Sequence, residues 1–119
     1  MCKFREFFPK SARLLTSESY SRVFRKAEKS NDRCFTVLWR PNGRSEARLG
    51  LVVSKKNVRR AVDRNLLKRI IRESFRMRKA DMAGVDVVVL SRRGVPVNKK
   101  RLLRDSLEGH WKRLIERSS

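Results

Sequence analysis

Hydrophobic residues recur with helical spacing early in the chain. Tyr20, Val23, Phe24 and Ala27 fall at i, i+3, i+4 and i+7, the stripe of a half-buried helix. Thr16 offers an N-cap and Glu18 a first-turn acid, so a helix is predicted over about 16–29, broken by Asn31-Asp32. The first dozen residues show no such period and read as a flexible basic arm. From Cys34 to Trp39 β-formers follow one another, up to the turn signal Pro41-Asn42-Gly43. Residues 48–54 then read as the antiparallel partner of that strand, with Leu49, Leu51 and Val53 on one face. A second helical period spans about 61–79 and is closed by Gly84. Val85 to Leu90 is apolar almost throughout, the pattern of a largely buried strand. Pro96 and Asn98 precede a last helix carrying Leu102, Leu103, Leu107, Trp111, Leu114 and Ile115.

The order αββαβα defines an α+β fold, a single-domain α-β sandwich over residues 1–119 with helices packed on a small sheet. If the second and third strands pair in parallel, the helix between them makes a βαβ crossover, for which the default hand is right. A length of 119 residues with 39% hydrophobic content fits one modest core.

Charge changes the picture. Thirty-two Lys and Arg against twelve Asp and Glu give a net +20. Such self-repulsion weakens a compact state and serves no purpose in an enzyme for small neutral metabolites. A polyanionic partner relieves it, releasing counterions on binding. Cys2 and Cys34 make no disulfide framework, and two Cys with one His fall short of a four-ligand zinc site. The apolar stretches are far below the roughly 20 residues of a membrane span, and the N-terminus lacks the apolar core of a secretion signal. The expected setting is cytoplasmic, without membrane contact.

Much of the charge is concentrated. Residues 55–72 hold Lys55, Lys56, Arg59, Arg60, Arg64, Lys68, Arg69 and Arg72 against Asp63 alone. On a helical wheel Arg64, Lys68 and Arg72 stack at i, i+4, i+8, with Asn65, Arg69 and Arg76 on the adjoining flank. Leu66, Leu67, Ile70, Ile71 and Met77 are expected on the opposite, packed side. A solvated helix would intersperse acids at i±4; here like charges stand four apart. Guanidinium forks suit phosphate oxygens, and the lead-in Lys55-Lys56-Asn57-Val58-Arg59-Arg60 concentrates cations and amides at the positive end of a helix dipole. Tyr20 and Phe24, one turn apart, are placed either to fill the core or to stack unpaired bases at its edge.

The run Ser54-Lys55-Lys56-Asn57-Val58-Arg59-Arg60-Ala61-Val62-Asp63-Arg64-Asn65-Leu66-Leu67-Lys68-Arg69-Ile70-Ile71-Arg72-Glu73-Ser74-Phe75-Arg76 resembles the signature of the bacterial ribonuclease P protein subunit family. The similarity extends to Arg13-Leu14, Tyr20, Val23-Phe24, Leu49-Gly50-Leu51 and the apolar third strand, roughly residues 13–111. The resemblance implies a small mixed sheet with a left-handed crossover, contrary to the default hand. It also implies that a large RNA subunit carries the catalytic centre and chiefly binds its magnesium. The protein then binds that RNA and the single-stranded 5′ leader of precursor tRNA, with no obligatory protein partner. In this reading Lys55, Lys56, Arg59, Arg60, Arg64, Asn65, Lys68, Arg69 and Arg72 face RNA. Tyr20 and Phe24 line a leader cleft whose floor includes Thr36 and Leu38. Two departures stand out. The family commonly has Arg-Asn-Arg where this chain has Arg64-Asn65-Leu66, which removes at most one phosphate contact. Tyr20 replaces a common Phe, keeping the ring.

No catalytic set or metal cluster is read from the sequence. Asp81 and Asp86 are expected to be a cap and a surface residue. His110 beside Trp111 is expected to be packed or solvated, and Cys34 to be a small strand residue. Two other functions share the basic helix: a structural RNA-binding protein of ribosomal or RNA-chaperone type, and a DNA-binding protein. The latter lacks helix-turn-helix spacing and a dimerisation segment.

Overall fold

The computed structural model describes residues 27–82 and 84–118. Within them lie β1 (Glu28–Asn31), β2 (Phe35–Pro41), β3 (Arg48–Val52), α1 (Ala61–Arg78), a 3-10 turn (Lys79–Met82), β4 (Val85–Ser91) and α2 (Lys100–Ser118). The strands form one mixed sheet in the order β1-β2-β4-β3. The α+β class is as expected from the sequence; the arm and most of the first expected helix, with Tyr20 and Phe24, lie outside the described residues.

Two expectations are corrected by the sheet. Glu28 and Lys29, assigned to the end of a helix, belong to β1, which pairs antiparallel with β2 through Glu28↔Trp39 and Ser30↔Val37. Asn31-Asp32 therefore opens a hairpin turn. The Asp32 carboxylate accepts the main-chain N–H groups of Cys34 (2.8 Å) and Phe35 (2.9 Å), fixing the chain reversal.

The second correction concerns β3, which is not the hairpin partner of β2. Strand β4 lies between them, antiparallel to β2 and parallel to β3. The reason is visible in β4 itself. Val85, Val87, Val88 and Val89 are all buried, so this strand is apolar toward both sheet faces and belongs in the centre. Parallel pairing of β3 and β4 requires a crossover, and α1 supplies it.

One sheet face carries Phe35, Val37, Trp39, Leu49, Val87 and Val89 and is covered by both helices. Helix α1 contributes Leu67, Ile70, Ile71 and Phe75, and α2 contributes Leu103, Leu107, Trp111 and Leu114. Each large apolar side chain so buried contributes about 1.5–3 kcal/mol. Phe75 meets Trp111 edge-on at 5.9 Å between centroids, and Trp111 Nε1 donates to Ser74 Oγ at 2.7 Å. Met77 departs from its expected packed side and is 71% exposed. It lies about 100° around the helix from the centre of the buried arc. The opposite sheet face brings together Val88, Leu38, Val52 and Leu90, with Ala27 against them.

Candidate nucleic-acid interface

The lead-in to α1 is a closed turn. Val58 N–H donates to the Ser54 carbonyl (2.9 Å), and Asn57 N–H to Ser54 Oγ (3.2 Å). Val58 is buried and anchors the turn in the core, so Lys55 and Lys56 stand exposed at its crest. Arg59 and Arg60 are exposed as well, and Arg60 is the N-cap of α1 without a side-chain cap. An uncapped first turn keeps amide donors and the positive dipole end beside these cations.

Arg64 has a second role that spacing alone did not reveal. Its Nη1 donates to the carbonyls of Val58 (2.9 Å) and Arg59 (2.7 Å), tying the turn to the helix. Lys68 and Arg72 follow Arg64 on the same half-buried flank, whereas Asn65 and Arg69 are exposed. Leu66 is half-buried against the core, at the border where the wheel put it. The nine basic-segment residues singled out in the sequence thus form one continuous turn and helix.

Thr36 and Leu38 sit on the sheet face away from α1 and α2. Thr36 Oγ1 donates to Asn31 Oδ1 at 2.7 Å, and Leu38 packs with its register partner Val88. Asp86, expected at the surface, is instead 1% exposed. It receives Arg48 Nε (2.8 Å), Arg48 Nη2 (2.7 Å) and Asn42 Nδ2 (2.8 Å), which compensate its burial. Asp81 is exposed and lies 3.7 Å from Arg78.

A buried polar cluster joins the β1–β2 turn to α2. His110 is fully buried; its Nδ1 is 2.8 Å from Ser30 Oγ and its Nε2 is 3.1 Å from Asp32 Oδ2. Arg113 Nη1 donates to Ser30 Oγ at 2.6 Å, and Ser106 Oγ donates to Asp32. Burial pushes the Asp32 carboxyl up, but hydrogen bonds from Ser106, Phe35 and Cys34 and the nearby His110 hold it below its ordinary value. Burial lowers the His110 pKa, with Asp32 opposing in part, so the ring is neutral at pH 7. Burial and Asp32 push the Cys34 thiol up, away from nucleophile chemistry. This Ser-His-Asp set is braced by Arg113 and stays partly open to solvent at Asp32, while of the two expectations for His110 it is the buried one that holds.

Among the described residues no group of three or more His, Cys, Asp or Glu could hold a metal ion. No helix among them is long and apolar enough to cross a membrane.

A cationic turn and helix mounted on a small mixed sheet define a basic α-β sandwich of the nucleic-acid-binding type. A family model described as Ribonuclease P matches residues 8–115, and the chain belongs to this family. It is 49% identical over 108 residues to the ribonuclease P protein component of Chromohalobacter salexigens, covering 90% of this chain and 84% of that one. The same component of Methylococcus capsulatus is 47% identical over 113 residues, covering 94% and 88%. Among solved structures, the ribonuclease P protein of Thermotoga maritima, in complex with 1-(4-fluorophenyl)-2-thiourea, superposes with a TM-score of 0.75 at 33% identity, covering 85% of this chain and 98% of that one. That of Staphylococcus aureus gives 0.74 at 32%, covering 84% and 92%. The chain is therefore the protein component of a bacterial ribonucleoprotein enzyme of tRNA processing, and RNA is its partner.

Proposed function

We propose that this subunit binds the catalytic RNA of ribonuclease P through Lys55, Lys56, Arg59, Arg60, Arg64, Asn65, Lys68, Arg69 and Arg72. On the same reading it holds the single-stranded 5′ leader of precursor tRNA over Thr36 and Leu38, with Tyr20 and Phe24. The observation that carries this reading is the separation of two surfaces. Cations occupy the turn and outer flank of α1, whereas the half-buried Leu38 and Leu90 lie on the sheet face that α1 and α2 leave alone. The first surface neutralises phosphate irrespective of sequence. The second suits unpaired bases, which offer apolar faces.

Substrate and product share the tRNA body and differ in the leader, so contacts to the leader are what let the holoenzyme prefer precursor over mature tRNA. On this reading the ions that the reaction needs are held chiefly by the RNA subunit, where they would supply Lewis-acid stabilisation of the phosphoryl oxygens. The chain's own part is to raise RNA affinity and position the leader, in the cytoplasm where tRNA is made.

Reconstitution with the RNA subunit of the same organism tests the proposal. At low magnesium and moderate salt, adding the protein should raise the rate or affinity of precursor cleavage over RNA alone. Tyr20→Ala or Phe24→Ala should weaken precursor binding and leave mature tRNA binding unchanged. Equal losses on both tRNAs would rule out the cleft.

A further inference from the structure

Strands β3 and β4 run parallel with Val52 opposite Leu90, so both chains leave the sheet at the same edge. Two connections therefore emerge side by side: the turn before α1 and the turn before α2. Asn57 joins them, donating its Nδ2 to the Ser91 carbonyl at 3.0 Å. Arg92 N–H in turn donates to the Cys34 carbonyl at 3.1 Å, pinning the second connection to the start of β2.

The second connection carries cations that the basic signature does not include. Arg92, Arg93, Lys99, Lys100 and Arg101 are all exposed and have no acidic partner among the described residues. The backbone that presents them is well fixed. Val95 N–H returns to the Arg92 carbonyl (3.3 Å) across Arg93 and Gly94, and Gly94 takes the positive φ of 79° that this turn needs. Val95 is buried beneath the turn, and Lys99 N–H closes onto the Pro96 carbonyl at 3.0 Å.

The placement of these charges opposes the intrinsic preference of a helix. The first turn of α2 has no acidic residue and begins with Lys100-Arg101. Cations there face the positive end of the dipole, which is unfavourable for the isolated helix. No ion pair among the described residues offsets this repulsion; an external polyanion would. Because α2 packs on the helix-covered sheet face, Lys100 and Arg101 at its start lie on the side away from Thr36 and Leu38.

We propose that Arg92, Arg93, Lys99, Lys100 and Arg101 form a second RNA-phosphate contact. Asn57 docks it against the turn before α1, so that the two connections grip the backbone of the catalytic RNA as one surface. This rests on the reading of α1 as an RNA-binding helix. Asn57, the uncharged polar member of the run Lys55–Arg60, is a positioning residue in it.

The test measures affinity for the RNA subunit transcript as a function of potassium chloride, for Arg92→Gln/Arg93→Gln/Lys100→Gln/Arg101→Gln and, separately, for Lys68→Gln/Arg69→Gln. Each lost phosphate contact lowers the salt slope by about 0.7–0.9. The quadruple variant should therefore lose about 3 from the slope and bind on the order of 10–100-fold more weakly at moderate salt. Asn57→Ala keeps every charge and should lose affinity several-fold with little change in slope, while circular dichroism and the thermal transition report that the fold is retained. With the holoenzyme saturated in protein, the KM for precursor tRNA should be unchanged by the quadruple variant. Wild-type affinity and slope in that variant, beside a loss in Lys68→Gln/Arg69→Gln, would overturn this surface alone. No loss in either would overturn the reading of α1 as well. A raised KM with unchanged affinity for the RNA subunit would transfer the contact to the substrate and overturn the assignment to catalytic RNA.

Discussion

Arg48 grips Asp86 with two parallel hydrogen bonds, Nε to Oδ1 at 2.8 Å and Nη2 to Oδ2 at 2.7 Å, across the parallel pair β3–β4. The two residues are register partners, so the fork also fixes strand alignment. Removing the cation leaves a buried carboxylate with only Asn42 as a side-chain donor. Arg48→Met is expected to destabilise the fold by about 3–5 kcal/mol, seen as a lower urea midpoint. Replacing both partners by apolar residues should recover most of the loss. A single variant as stable as the wild type would show that the pair is dispensable.

Arg64 links charge to shape. Arg64→Lys keeps the positive charge but loses the planar fork, and with it the bonds to the carbonyls of Val58 and Arg59. RNA affinity should fall several-fold, or about 1 kcal/mol for a misplaced turn, while the salt slope changes little. A slope reduced as far as that of Arg64→Ala would mean that Arg64 acts through a direct phosphate contact only.

Gly84 has φ of 80°, and a Cβ built there would stand 3.0 Å from the Arg44 carbonyl oxygen. Its own carbonyl accepts Asn42 N–H at 2.9 Å, so the turn cannot retreat freely. Gly84→Ala should cost about 1–3 kcal/mol in equilibrium unfolding. RNA affinity measured well below the transition should be nearly unchanged, since the cationic edge lies at the other end of β4.

Acid should weaken the fold through His110 first. Its folded pKa lies below the ordinary 6.5, so below that pH the unfolded chain binds a proton that the native state refuses. Stability is full above the ordinary value and declines as pH falls toward the lowered one. Asp32, also depressed, adds a further loss of the same sign only below its ordinary 3.8. Thermal melts between about pH 8 and about pH 5 should show the first decline, and a folded His110→Phe variant should show a flatter profile. An identical slope in that variant would place the titration elsewhere.

The sequence made the helical elements legible because α1 and α2 carry long, regular apolar stripes. It also made β4 legible, since no other stretch is apolar on successive residues over such a length. What it concealed is pairing. Pro41-Asn42-Gly43 looks like a hairpin turn whether or not its flanking strands meet, and only the two-sided burial of β4 decides that they do not. Glu28 and Lys29 directly follow a helical stripe on paper, yet the four register pairs of β1 with β2 hold them in the sheet. The cations of α1 were plain from their density. Those around Arg92 and Lys100 are scattered among Gly, Pro and Val, and become a surface only because β3 and β4 end together. The burial of Asp86 had no local signal at all, because its partners Arg48 and Asn42 are remote in sequence.

The position of β4 has a consequence for how the chain is made. Strands β2 and β3 both need it as neighbour, yet the ribosome delivers it after both of them and after α1. Until then the β1–β2 hairpin stands as a two-stranded piece, marginal by itself in water. A nascent chain stalled before Val85 therefore carries two unmatched strand edges, the state most prone to pair with a neighbouring polypeptide. The last strand into the sheet is the one that closes it, so chaperone demand should peak during synthesis of β3 and α1 and fall once Ser91 has cleared the exit tunnel.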